Sequence, residues 1–169
     1  MRTKTTAAAL AAITLIGLTG CGSSPKEPTI SPTSIDGLYR ANNDEIDPAA
    51  VAARCGDLLG DAPTFFRYVT GKKDKQAAWK GDYTLQYMKC TPTSVKQNVP
   101  AVSFYFSTGT AEMAAENANG GFVHMPIGEP GAIGYGDAGI QTPKKYGQLD
   151  EEKTKALMEK IAKATRDRD

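Results

Sequence analysis

Residues Ala7 to Leu18 form an almost unbroken apolar run, and its length decides which part of the chain can fold as a globule. Arg2 and Lys4 precede it, and the small residues Thr19 and Gly20 come after it. A bilayer-spanning helix needs about 20 apolar residues, more than this run supplies. Gly17 and Gly20 would further weaken the end of such a helix. A basic start, a short apolar middle and small residues at the end are the layout of a secretory signal segment, which is removed from the mature protein. Residues 1–20 are therefore read as a signal peptide, and the fold has to be built from residue 21 onward.

The leader ends in Leu18-Thr19-Gly20-Cys21. This tetrad resembles the lipobox of bacterial lipoproteins, in which the chain is cut before the cysteine and the sulfur is lipidated. The resemblance implies that Cys21 carries palmitate-type acyl chains. The partner it names is the cell membrane, reached through lipid, with the polypeptide on the extracytoplasmic face. A single acyl chain binds only marginally and stable attachment takes two signals, so a multiply acylated cysteine should rarely let go. Gly22 stands where an aspartate would retain a Gram-negative lipoprotein in the inner membrane. In such a cell the resemblance implies outer-membrane sorting.

Lys and Arg number 20 against 19 acidic residues, and loss of the leader takes Arg2 and Lys4 with it. The mature chain is slightly acidic, without the clustered basic excess of a nucleic-acid binder. The only local basic run is Lys72-Lys73-Asp74-Lys75, which reads as a solvated turn. Attraction to anionic lipid headgroups is the alternative.

About 150 residues remain, one domain's worth of chain. Gly22 to Ser34 holds Pro25, Pro28 and Pro32 among Ser, Thr and Lys, with one Ile. That composition reads as a flexible tether, which we extend to residue 46. Such a tether would reach roughly 30 Å as a coil and about 80 Å fully extended, holding the domain clear of the headgroups. The globular domain is then residues 47–169. With Cys21 used for lipid, Cys55 and Cys90 remain. Outside the cytoplasm two leftover thiols pair. The competing use, as metal ligands, lacks further ligands: there is no Cys-x-x-Cys and a single histidine. No metal or cofactor is expected.

Asp47-Pro48 opens a helix as a cap followed by proline at the first position. Val51, Cys55, Leu58 and Leu59 then make one apolar stripe, and Gly60 stops it. Phe65 to Val69, aromatic and β-branched, is assigned to a short strand. Trp79, the sole tryptophan, is expected in or over the core. Tyr83–Cys90 and Val99–Ser107 read as two strands of an antiparallel hairpin with a long loop; in the second, Val102, Phe104 and Phe106 alternate with Ala101, Ser103 and Tyr105. A modest helix runs from Thr110 to Asn119. The strongest helix extends from Asp150 to about Arg166, burying Leu157, Met158, Ile161, Ala164 and Thr165. The predicted architecture is a small α+β domain: a mainly antiparallel sheet packed with about three helices, one disulfide, behind a disordered tether.

Chemistry concentrates, if anywhere, in the glycine-rich stretch from Gly120 to Gly139. Gly134 to Gly139 matches GxGxxG in form, but no parallel strand and long helix flank it, so nucleotide binding is not expected. Glycines serving turns are the plain reading. A ligand- or partner-contacting loop is the sharper one, with His124, Tyr135 and Asp137 as its polar contacts. His124 could act as a base for a nucleophile. There is no G-x-S-x-G, however, and the thiols are taken, so no catalytic residue is assigned. Glu112 and Glu116 share a helical face and read as solvated surface, with a glycosidase-type pair as the alternative.

The lipobox, the Ser/Pro/Thr tether, the helix begun at Asp47-Pro48, the two cysteines, the Gly134–Ala138 stretch and the terminal helix together resemble small actinobacterial lipoproteins. The single domain of that group has no assigned function, and related domains occur as extracytoplasmic sensor modules. The anchor-plus-tether design and the absence of a catalytic set lead to the expectation of a non-enzymatic module of the cell envelope that binds a ligand or a protein. A small envelope hydrolase and a phage- or toxin-excluding immunity lipoprotein are the alternatives.

Overall fold

Asp47 caps the first helix as its sequence promised. Its carboxylate accepts from the Ala49 amide at 2.9 Å and Pro48 occupies the first turn of α1 (Pro48–Leu59). The computed structural model describes residues 24–33, 46–84, 86–94, 99–118, 121–127, 136–146 and 150–166; Cys21 and Tyr135 lie outside them. Gly60 closes α1 at φ 70° and ψ −149°, a conformation essentially confined to glycine.

Asp61 then caps a second helix, α2 (Ala62–Thr70), accepting from the Thr64 amide at 2.9 Å; Gly71 ends it in the left-handed conformation. The segment Phe65–Val69, expected as a strand, is therefore helical. Ala62, Phe65 and Phe66 are buried on one face. Their spacing is helical, and the two caps outweigh the β-propensity of the aromatic run.

The sheet has five strands: β1 (Trp79–Tyr83), β2 (Tyr87–Pro92), β3 (Ala101–Tyr105), β4 (Phe122–Pro126) and β5 (Asp137–Gln141). Their order is β1-β2-β3-β5-β4, and every neighbouring pair is antiparallel. The single strand expected over Tyr83–Cys90 is in fact a turn and parts of two strands, with the Thr84 amide donating to the Tyr87 carbonyl. The β2–β3 pairing bears out the expected hairpin. Helix α3 (Thr108–Glu116), capped by Ser107, crosses from β3 to β4 and so leaves room for β5 between them. A short 3-10 turn (Lys144–Tyr146) precedes α4 (Glu151–Arg166). The domain is α+β, with four α-helices among the described residues where about three were expected.

One face of the sheet makes the core. Met88, Cys90, Val102, Phe104, Ala138 and Ile140 point at α1 and α4 and join Val51, Leu58, Leu59, Leu157, Met158 and Ile161. Helix α1 lies along β1, and α4 crosses β4 and β5. The close seat of α1 depends on Gly81 of β1, where a Cβ would stand 2.5 Å from the Pro48 carbonyl oxygen and from the Val51 Cβ. Gly81 is the register partner of Cys90, and next to it the Cys55–Cys90 disulfide ties α1 to β2 with a Cα–Cα distance of 5.6 Å.

Residues 24–33 correct the tether expectation for their part of the chain. They lie on the domain in extended form, with Pro28 buried and Ile30 packed against the core. Ser31 donates to the Leu58 carbonyl and Thr33 to the Ala164 carbonyl, so this strap joins the ends of α1 and α4. Proline-rich composition concealed the contact, because an extended segment needs only a few backbone bonds and one apolar side chain to dock.

Candidate functional site

Strand alternation places Lys80, Asp82, Tyr87, Lys89, Thr91, Ala101, Ser103, Tyr105, Asp137, Gly139, Gln141, Phe122 and His124 on the face of the sheet turned away from α1 and α4. Helix α3 covers part of this outer face. The remainder forms two adjoining depressions. One, of about 440 Å³, is lined by Lys80, Asp82, Lys89, Thr91 and Thr93. The other, of about 280 Å³, lies between Tyr87, Tyr105 and the α3 residues Thr110, Met113 and Asn117. Lys89 and Gln141 line both, forming a ridge between them.

Aromatic rings run across this face. Tyr87 and Tyr105 meet edge to face at 6.3 Å, Tyr105 and Phe122 at 6.0 Å, and Phe122 stacks on His124 at 5.5 Å. The row bridges from β3 to β4 because β5 carries Gly139 between them. A Cβ there would stand 2.5 Å from the Phe122 ring, so glycine lets the ring lie flat over the strand. Burial raises the Tyr105 phenol above its ordinary pKa, opposed in part by a hydrogen bond with Ser103. Burial also raises Tyr87, with the Asp82 charge adding to the effect. Both phenols stay neutral donors and acceptors at physiological pH.

The structure brings together two of the three loop residues expected to make polar contacts, and places them on strands. His124 on β4 presents Nδ1 3.3 Å from Oδ2 of Asp137 on β5. The histidine side chain is 40 % exposed and the aspartate 4 %. The other carboxylate oxygen of Asp137 is buried with no hydrogen-bond partner among the described residues. A buried carboxylate fixing one imidazole nitrogen while the ring faces solvent is an orienting arrangement. Glu112 and Glu116 are both solvent-exposed on α3.

The GxGxxG segment has no phosphate-binding geometry in the part described. Gly136 to Gly139 enter β5 within an antiparallel sheet. A Cβ on Gly136 would stand 1.9 Å from the Tyr105 carbonyl oxygen, so this glycine serves close backbone approach. Sequence reasoning missed Tyr87, Lys89, Tyr105 and Gln141 as a group, since only strand register gathers them. Among the described residues no cluster of three His, Cys, Asp or Glu could hold a metal ion, and no helix is long and apolar enough to cross a membrane. No family model matches this chain, and neither a curated protein nor a solved structure shows significant similarity to it.

Proposed function

We propose that the protein is a lipoprotein of the cell envelope, held at the extracytoplasmic face of the membrane by acyl chains on Cys21, and that its domain is a non-catalytic module binding a ligand or a protein on the outer sheet face. The observation carrying the binding role is the pair of depressions flanking Lys89 and Gln141. The solvated face of an antiparallel sheet usually carries polar side chains. This one carries a row of aromatic rings, and beside it Met113 of α3 is 67 % exposed, the one large apolar side chain so exposed among the described residues. Aromatic and Met side chains around a polar centre are the composition of a recognition surface.

A photo-crosslinking residue at Lys89 in intact cells tests this reading. A discrete adduct is expected there and not from Lys155, exposed on α4, and Met113→Asp should abolish it. No adduct, together with turnover of an envelope substrate by the purified protein, would contradict it.

The His124–Asp137 pair favours one second reading, a small envelope hydrolase with His124 as base. Hydrolysis that survives His124→Ala disposes of that version.

A further inference from the structure

Glu27 is close enough to Tyr68, near the end of α2, for its charge to raise the phenol further after burial has raised it, while Thr33 bonds at Ala164 near the end of α4. The strap therefore passes within electrostatic reach of Tyr68 on α2 and ends beside Ala164 near the α4 C-terminus. Lys160 forms an ion pair with Glu27 along the way.

Cations gather around the C-terminus of α2. Arg67 is in the last turn of α2, and Lys72, Lys73 and Lys75 come next, all three exposed. The 3-10 turn adds exposed Lys144 and Lys145. Packing holds the two groups together: Phe66 of α2 meets Tyr146 edge to face at 5.8 Å, and Lys72 and Lys145 lie over the Tyr146 ring at 4.8 and 5.1 Å. Lys72 also donates to the Lys145 carbonyl. Lys153 sits over the Tyr68 ring at 3.9 Å. The carboxylates nearby are Glu27, paired with Lys160, Asp74, engaged by Ser94, and the acidic residues at the start of α4, Asp150, Glu151 and Glu152. The cations outnumber them.

We propose that this cationic side docks on anionic lipid headgroups of the membrane that holds the anchor, so that the domain sits against the bilayer. The inference rests on the acylation of Cys21 put forward above. Two observations carry it. Only Gly22 and Ser23 separate Cys21 from Ser24, the first of the strap, and three Cα–Cα steps span at most about 11 Å. An acylated Cys21 therefore keeps the strap's beginning at headgroup level, and the domain with it. The second observation is charge: the exposed lysines that follow α2 and those of the 3-10 turn are held together around Tyr146 and outnumber the carboxylates nearby, and each lysine within a Debye length of an anionic surface adds to attraction.

The test uses the acylated full-length mature protein in vesicles of phosphatidylcholine alone and of phosphatidylcholine with about 30 % phosphatidylglycerol, read by hydrogen–deuterium exchange. Exchange across 67–75 and 144–146 should slow several-fold on the anionic vesicles only and recover in high salt, with 87–92 unchanged. Lys72→Glu combined with Lys73→Glu and Lys144→Glu should remove the slowing while the protein stays vesicle-bound. Equal exchange on both vesicles, with acylation verified by mass, would overturn the docking and leave the anchor standing. An unmodified Cys21 would overturn the anchor and the docking with it.

Discussion

Trp79 donates its indole N–H to the carbonyl of Gly60 at 2.7 Å, and Gly60 is also where Thr29 of the strap rests. A Cβ on Gly60 would stand 2.8 Å from the Thr29 carbonyl oxygen. One glycine thus couples the end of α1, the sole tryptophan and the docked strap.

Gly60→Ala should displace the strap. The substitution forces alanine into a glycine-only conformation, costing about 1–3 kcal/mol, and pushes Thr29 away. Trp79 reports it: fluorescence should shift red in the variant, and amide exchange across 24–33 should rise. An unchanged spectrum with an unchanged strap would contradict this coupling.

Gly81→Ala should be among the most damaging single changes in the domain. Overpacking a tight contact costs about 1–3 kcal/mol, and here the obstacle is backbone rather than a movable side chain. Urea denaturation should show a lowered midpoint with the slope retained.

Removing the disulfide by Cys55→Ala with Cys90→Ala tests the staple. The sequence separation of 35 gives about 4 kcal/mol by the chain-entropy account, which is model-dependent. Measured loss below about 1 kcal/mol would mean that the unfolded chain is held by other means.

Legibility in the sequence differs by element. Asp47-Pro48, Gly60 and the stripe ending at Leu59 mark α1 correctly, and the α4 residues expected to be buried, from Leu157 to Thr165, are buried. At α2 the aromatic content points to a strand, although Asp61, Pro63 and Gly71 signal the helix that forms. Strands β4 and β5 hide among glycines because those glycines serve packing: Gly139 under Phe122 and Gly136 against Tyr105. His124 and Asp137 stand out singly, yet their contact depends on a register that no local pattern prints. The strap is invisible in the sequence because its partners, Leu58 and Ala164, lie far along the chain.

Gly139→Ala should break the aromatic row. The new methyl group collides with the Phe122 ring, so Phe122 must leave Tyr105 and His124 must lose its stacking partner. Ring-current shifts of Tyr105 and His124 in proton NMR should move toward random-coil values, with a stability loss of about 1–3 kcal/mol. Retained shifts would show that the ring has another way to lie.

Alkaline pH should destabilise the domain. Tyr68, Tyr87 and Tyr105 all have phenol pKa values raised from 10.0, chiefly by burial. The unfolded chain ionises first, so their contribution is complete below about pH 10 and is lost as pH rises through the folded values. Lys153 acts in the opposite sense: burial lowers its amine from 10.5, and that penalty is relieved as pH climbs through its folded value. Three phenols against one amine should leave a net fall above about pH 10. Stability measured beside tyrosinate absorbance should show it, and Lys153→Met should steepen it.

Membrane attachment of this domain is proposed to run through acyl chains on Cys21, so intact-mass analysis of the protein extracted from its native cells is the most direct test. The account predicts a chain beginning at Cys21 and heavier than the bare polypeptide by the mass of its attached acyl groups. A chain still carrying Met1 to Gly20, or one starting at an unmodified Cys21, would contradict it.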